Sequence, residues 1–311
     1  MRHLLMAGWW ATGLMLGASV AHAQAPTVIR LGYSNVSGFT AMWVARDQGM
    51  FARHGLDVQP VLIALNSTMP AALVGGSLQI ASPSPPVFLQ AVEGGLDIVV
   101  ISGCSSNDTS QSGQGVVART GVVIRNAKDF EGKRVGAPGI GSYMQVLFRR
   151  WLRNKGADDR KVTFVEVPFA QGNDILRSGN VDALLTSDPY YSRIIAARTG
   201  YLVSHYLVEM PEGLFSLYFA STREWAGRNA AAIKSFRAAL AEGIAFLARE
   251  PVKSREILAR SMKLPASDMA NIIIPKLKVE VPRADLQYWI DTLVQQGITK
   301  TRPDPATLII D

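Results

Sequence analysis

Val28-Ile-Arg-Leu-Gly-Tyr33-Ser-Asn-Val-Ser-Gly-Phe-Thr40, with the helical stretch Ala41 to Phe51 and then Leu56-Asp-Val-Gln-Pro-Val-Leu-Ile63, decides the fold class. Its first six residues are short, partly alternating and β-rich, which reads as a strand. A polar, glycine-containing loop, Ser34–Thr40, follows. Ala41, Val44 and Ala45 then recur at helical spacing, with Met42 and Trp43 widening the apolar face. His54-Gly55 stops the helix, since glycine suits a left-handed cap position. Leu56–Ile63 reads as a second strand. Strand, loop, helix and strand at this spacing form a βαβ unit and predict a mainly parallel sheet.

The alternation continues outward. A helix from Thr68 to Val74 ends at Gly75-Gly76, Leu78–Ala81 is a strand, Pro85–Val92 is a helix, and Ile98–Ile101 is a strand. Beyond the polar stretch Ser105–Gln114, Gly115–Ala118 and Gly121–Ile124 are candidate crossing strands. Lys133–Ala137, Val162–Val167 and Ala183–Leu185 read as strands, and Ser142–Asn154 and Asn173–Ser178 as helices. Together they make a second, smaller α/β unit. Phe215–Ala220 is an extended returning segment. Ser221-Thr-Arg-Glu224 has capping-box spacing before a helix with Ile233, Phe236, Leu240, Ile244 and Leu247 on one face, stopped by Pro251. Segments 252–261, 267–274 and 283–296 read as helical. The expected division is a leader over 1–23, one discontinuous lobe over 24–118 and 213–311, and a second lobe over 119–212 inserted into it.

The leader is an address. Arg2 and His3 precede an apolar run from Leu4 to Ala18, and Ala21-His22-Ala23 supplies small residues at the positions a signal peptidase reads. The run is shorter than the roughly 20 residues that span a bilayer. Export into a periplasm, with cleavage after Ala23, is the expectation. The lone Cys104 lies far downstream, so no cysteine stands at that site to carry a lipid.

The chain has 311 residues, 32 basic against 25 acidic groups, four His and one Cys. Loss of the leader removes Arg2, His3 and His22 and leaves His54 and His205. That scarcity excludes a disulfide framework and a zinc site of the His/Cys kind. The sequence contains no H-E-x-x-H, G-x-S-x-G or G-x-x-x-x-G-K-[ST]. Gly136-Ala-Pro-Gly-Ile-Gly141 does not fit a dinucleotide fingerprint, and nothing local activates Cys104. No enzyme chemistry and no cofactor are expected.

These segments, in order, resemble a known family. Ala41–Val58, with its Gly49-Met-Phe51 and Gly55-Leu-Asp-Val58, is similar to the segment after the first strand in solute-binding proteins of the nitrate/sulfonate/taurine type, a group with relatives that bind thiamine pyrimidine precursors. Ala71-Ala-Leu-Val-Gly-Gly-Ser-Leu-Gln-Ile-Ala81 resembles a second family segment, with Gln79 where Asp is usual. Asp129-Phe-Glu-Gly-Lys-Arg-Val135 resembles the opening of the second lobe. Leu176–Ala183 followed by Ser187-Asp-Pro-Tyr-Tyr191 resembles a downstream element. The resemblance implies a type II periplasmic binding protein: two α/β lobes, two crossing strands and a ligand closed between them, delivered to an ABC permease with its ATPase. A pyrimidine-precursor binder, a biosynthetic enzyme on the same fold and a sensor partner stay open as alternatives.

In open α/β sheets ligands sit beyond the carboxyl ends of the strands. The loops there are Ser34–Thr40, Ser82–Pro86, Gly139–Tyr143 and Ser187–Tyr191. They hold no Lys or Arg, so the basic excess says little about nucleic acid, and a monomer is expected. Two of them open helices, at Thr40 and Ser142, and helix N-termini favour an anion. Candidate ligand contacts are Ser34, Ser37, Gly38, Phe39, Trp43, Ser82, Ser84, Gly141, Ser142, Tyr143, Asp188 and Tyr190. Hydroxyls donate, the aromatic rings wall an apolar body, and Asp188 either caps its own loop or meets the ligand, with capping favoured. The expected ligand is a small organic anion, sulfonate- or carboxylate-like.

Overall fold

The alternating pattern builds two mixed sheets in the computed structural model, which describes residues 25–310. The leader and its cleavage site lie outside the described residues. Eleven strands occur among them: β1 Thr27–Tyr33, β2 Leu56–Leu62, β3 Ile80–Ala81, β4 Ile98–Ser106, β5 Gln114–Arg119, β6 Arg134–Ala137, β7 Thr163–Glu166, β8 Ala183–Ser187, β9 Gly200–Ser204, β10 Phe215–Thr222 and β11 Lys276–Leu277. The first sheet has the order β11-β4-β10-β3-β1-β2 and the second β7-β6-β8-β5-β9. Within each, the early strands pair in parallel through helical crossovers, β1 with β2 and β3, and β6 with β7 and β8. The strands that follow a passage between the sheets, β5 and β10, pair antiparallel with their neighbours.

The chain therefore passes from one sheet to the other twice, through 107–113 and back through 205–214. Residues 114–118, grouped with the first lobe by the sequence, belong to a strand of the second sheet. Gly121–Ile124 is not a strand. Its Val122 N–H turns back to the Arg119 carbonyl at 3.0 Å, and the Tyr201 hydroxyl accepts from the Ile124 N–H at 2.9 Å and donates to the Val122 carbonyl at 2.8 Å.

Several boundaries move for local reasons. The helix expected over 41–51 is two, Thr40–Asp47 and Met50–Arg53, because Gly49 between them takes φ +67°. The cap of helix Arg223–Arg228 is Thr222, whose Oγ1 accepts from the Trp225 N–H at 3.2 Å. Ser221, which the spacing marked, donates to the Gln79 carbonyl at 2.6 Å. Pro251 ends helix Ala230–Arg249 but also begins Pro251–Met262, as proline suits a first helical position. The helix expected over 267–274 is confined to Ala266–Met269.

The cores follow the two apolar patterns. Ile233, Phe236 and Leu240 bury against Phe51, Phe219 and the β1 face of the first sheet. On the other unit, Phe148 and Trp151 stack at 5.6 Å and meet Phe130 and Tyr206 edge-on or tilted. Rings so arranged gain about 0.5–1.5 kcal/mol per pair beyond burial. This holds helix Tyr143–Asn154 rigidly with its N-terminus toward the first sheet.

Candidate functional site

The carboxyl ends of the strands converge on one cavity between the two sheets. Ser34 follows β1, Asn66 follows β2, Pro138 follows β6, Ser187 ends β8, and Leu217 lies on β10; Ser142, Tyr143, Val36 and Phe169 complete the lining. No lining residue carries a charge. The cavity is narrow, and the space around it, open solvent at its mouth included, is about 330 Å³. It admits about one water, so the lobes are closed on each other.

Closure is built from direct contacts between the units. Ser67 Oγ donates to Glu166 Oε1 at 2.8 Å, the Asn66 N–H to the Pro138 carbonyl at 3.3 Å, and Asn35 Nδ2 to the Tyr190 hydroxyl at 2.9 Å. Arg193 pairs with Asp268 at 3.2 Å. On the flank, Arg150 donates to the Tyr288 hydroxyl at 2.8 Å.

Ser142 stands at the cap of the 12-residue helix Tyr143–Asn154, yet its side chain makes no capping bond. Its Oγ is buried and has no hydrogen-bond partner. The first-turn N–H groups of a helix lack acceptors within it, and the macrodipole places partial positive charge there. The cavity is thus supplied with a donor hydroxyl and a positive helix end but no cation. The arrangement can hold a negatively charged group by dipoles and hydrogen bonds alone.

The other expected helix N-terminus, at Thr40, is closed. A 3-10 turn, Ser37–Phe39, runs straight into the helix, Thr40 Oγ1 donates to the Ser37 carbonyl, and the Ser37 N–H is given to the Asp188 carbonyl at 3.1 Å. Protein oxygens occupy the donors that a ligand would need.

Of the residues singled out by the sequence, Ser34, Ser142 and Tyr143 line this cavity. Ser84 sits behind it, its Oγ accepting the Tyr143 N–H at 3.3 Å and its N–H reaching Asn66 Oδ1 at 2.8 Å. Ser82 is fully buried, and its carbonyl accepts from Asn66 Nδ2 at 3.2 Å. Ser37 and Tyr143 line a second cavity on the side of the two connections. Tyr190 closes the cleft through Asn35 and stacks on Phe169 at 6.1 Å.

The remaining residues are placed elsewhere. Trp43 packs edge-on to Tyr33 at 5.1 Å, and Phe39 meets Tyr33 and Phe219 within the first core. Gly38 is close enough to Ser105 that a Cβ would meet its Oγ at 2.9 Å, and its carbonyl accepts from Cys104 Sγ. Gly141, at φ +75°, gives its N–H to Gln145 Oε1 at 2.8 Å and its carbonyl to Gln90 Nε2 at 3.1 Å. Asp188 orients its own loop: Oδ1 accepts from the Ser192 N–H and hydroxyl at 3.1 and 2.6 Å, and Oδ2 from the Ile273 N–H at 2.8 Å. Burial pushes its carboxyl up, while these bonds pull it back.

Asn66, Phe169, Ser187 and Leu217 are cavity residues that sequence reasoning did not single out. Ser187 lies in a loop already marked, at the end of a strand. Asn66 shows only as a polar residue after the second strand, where the same carboxyl-end rule would find it. Phe169 and Leu217 give no local signal, because they arrive from elements distant in sequence.

Among the described residues no group of His, Cys, Asp and Glu could hold a metal, and no helix is long and apolar enough to cross a membrane. Burial pushes the Cys104 thiol far up. His54 is engaged by Glu242 at 2.5 Å and His205 Nδ1 by the Gln114 carbonyl at 2.7 Å.

Two α/β lobes, a double passage between them and a cavity at the strand ends define the type II periplasmic-binding-protein fold. The chain belongs to the NMT1/THI5-like family, whose model matches residues 36–254. A relative in Escherichia coli (strain K12), named for binding aliphatic sulfonates, is 25% identical over 259 residues, which is 82% of this chain and 78% of the relative. The alkanesulfonate-binding protein of Xanthomonas axonopodis pv. citri, solved bound to MOPS, superposes with a TM-score of 0.80 at 20% identity, covering 93% of this chain and 99% of the other. The nitrate-binding protein of Synechocystis PCC 6803 superposes at 0.76 with 16% identity, covering 90% and 84%.

Proposed function

We propose that this chain captures a small organic anion, a sulfonate or carboxylate, between its lobes outside the cytoplasm and delivers it to an ABC permease with its ATPase. The observation that carries the reading is the unpartnered, buried Ser142 Oγ at the N-terminus of helix Tyr143–Asn154, facing a cavity without a charged side chain. Relatives that bind aliphatic sulfonates and nitrate support an anion. The leader over 1–23, cleaved after Ala23, would place the mature chain in the periplasm, and the lobes would hinge at 107–113 and 205–214. A thermal-shift panel of sulfonates, carboxylates, nitrate and pyrimidines tests it. Sulfonates or carboxylates at 100 times Kd should stabilise the protein by about 2.7 kcal/mol. Stabilisation by pyrimidines alone overturns the reading.

A further inference from the structure

The basic excess that the cleft does not use is concentrated on one lobe. Residues 114–204, the second sheet and its helices, carry 14 basic against 8 acidic side chains, whereas residues 25–113 and 205–310 carry 17 against 16. The strand register gathers much of it at one end. Arg119 ends β5 opposite Gly200, where β9 begins, and Arg134 begins β6 opposite Thr163, where β7 begins. Ala183, the first residue of β8, pairs with both Ala118 and Val135, so these are the same end of the sheet. The cleft lies at the other end, beyond Pro138 and Ser187. Segment 120–133 joins β5 to β6 here and adds Arg125, Lys128 and Lys133, and Arg198 stands just before β9. Elsewhere on this lobe cations are paired, Arg149 and Arg153 with Asp159, Arg160 with Asp158, Lys161 with Glu131 and Arg177 with Asp174. Arg119, Arg125, Lys128, Lys133, Arg134 and Arg198 form no ion pair among the described residues. Two carboxylates of this end are spent on backbone, Asp129 on the Arg125 N–H at 2.7 Å and Asp182 on the Arg134 N–H at 2.9 Å. Among these cations Val123 is 61% exposed, and the Tyr201 hydroxyl binds the backbone on either side of it.

We propose that this end of the second lobe rests on an anionic lipid bilayer, with Arg125, Arg134 and Arg198 against the lipid phosphates and Val123 and Tyr201 at headgroup level. Cations that no carboxylate neutralises keep their field directed outward, and a bilayer of anionic lipid has the opposite sign. An exposed apolar residue ringed by basic ones, beside a half-exposed tyrosine, suits the interface between headgroups and acyl chains. The cations come from three separate segments around one end. A fluid sheet of mobile phosphates meets such a spread without the fixed geometry that an acidic protein surface would need. Because the cleft lies at the opposite end of the sheet, the contact leaves the lobes free to open. It would hold the loaded receptor in the plane of the permease. The inference is independent of the ligand, and lipid alone tests it.

The test is co-sedimentation of the chain from Gln24 onward, which holds both lobes entire, with vesicles of equal parts phosphatidylglycerol and phosphatidylcholine, beside vesicles of phosphatidylcholine alone. Binding is expected to the anionic vesicles only and should be lost in about 1 M salt, where the screening length is about 3 Å. Each Lys or Arg near such a surface is worth about fivefold in partitioning. Arg125→Gln, Arg134→Gln and Arg198→Gln together should therefore weaken binding about a hundredfold. Removing the same charge from exposed sites of the first lobe, by Lys234→Gln, Arg249→Gln and Arg283→Gln, should change it little. Position is read separately on Val123→Cys carrying an environment-sensitive dye, which labels that site alone because Cys104 is buried. Its emission should shift to the blue with anionic vesicles and stay unchanged with phosphatidylcholine. No binding to anionic vesicles overturns the proposal and turns these cations toward an acidic protein surface. Equal losses in the two triple variants, or a silent dye on a chain that sediments, overturn the assignment to this end. Equal binding to both kinds of vesicle overturns the electrostatic reading. None of these outcomes bears on the anion reading of the cleft, since no ligand is present.

Discussion

Ser142 Oγ forms no hydrogen bond with the rest of the protein, so its removal should separate binding from stability. Ser142→Ala is expected to lower ligand affinity about two- to tenfold, the worth of one hydrogen bond, while leaving the melting temperature of the ligand-free protein unchanged or slightly raised. Titration calorimetry and scanning calorimetry check the two halves; an equal loss in both would assign the hydroxyl a structural role. Asp285 offers the opposite case. Its Oδ2 accepts from the Phe215 N–H at 2.7 Å and its Oδ1 from the Tyr218 hydroxyl, and burial pushes its carboxyl up to about 6. An unfolded Asp titrates near 3.9. Between these values the folded chain holds the proton more tightly, so this group's contribution is largest below about pH 4 and is lost as pH rises through 6. Asp285→Asn should remove that slope, which is at most about 3 kcal/mol across the window, from denaturation midpoints measured at pH 4.5 and 7.

At the scale of elements, most helices and strands could be read from periodicity and glycine stops, and the misreadings have physical causes. The S-x-x-E spacing at Ser221 was genuine, but Ser221 is bonded to the Gln79 carbonyl and the adjacent Thr222 caps instead. Thr222→Ala should therefore cost about 1 kcal/mol of stability by urea denaturation, the usual worth of an N-cap. The marked loops contained Ser34, Ser142 and Tyr143, which do line the cleft, because the carboxyl ends of parallel strands must face it. They also contained Phe39 and Gly38, which do not, and Trp43 on the helix that follows does not either. Loop position could be read from the sequence, whereas the direction of each side chain depended on partners far along the chain, such as Phe219 for Phe39. Asp188 belongs here as well: its carboxylate joins the start of helix Tyr190–Ala196 to the Ile273 backbone. Asp188→Ala removes the acceptor of a buried N–H and should destabilise by about 1–3 kcal/mol in the same assay.

For the whole molecule, direct bonds between the lobes hold the closed arrangement. Ser67→Ala combined with Asn35→Ala deletes two of them, at about 0.5–1 kcal/mol each, and should shift the ligand-free balance toward open by about five- to thirtyfold. Small-angle scattering would show a larger radius of gyration in the ligand-free double variant and the wild-type value at saturating ligand. An unchanged radius would mean that closure resides in the flanking contacts of Arg150 and Arg193 instead. The sequence by itself determined two α/β lobes and the strand ends around which the cleft forms, because hydrophobic period, glycine stops and residue inventory are local properties. Tertiary structure alone decided which of the two helix N-termini is open, that Asn66, Phe169 and Leu217 join the cleft, and that a second cavity lies behind Tyr143. Each of those depends on which backbone donors and side chains from distant segments meet, and such meetings leave no local trace in the sequence.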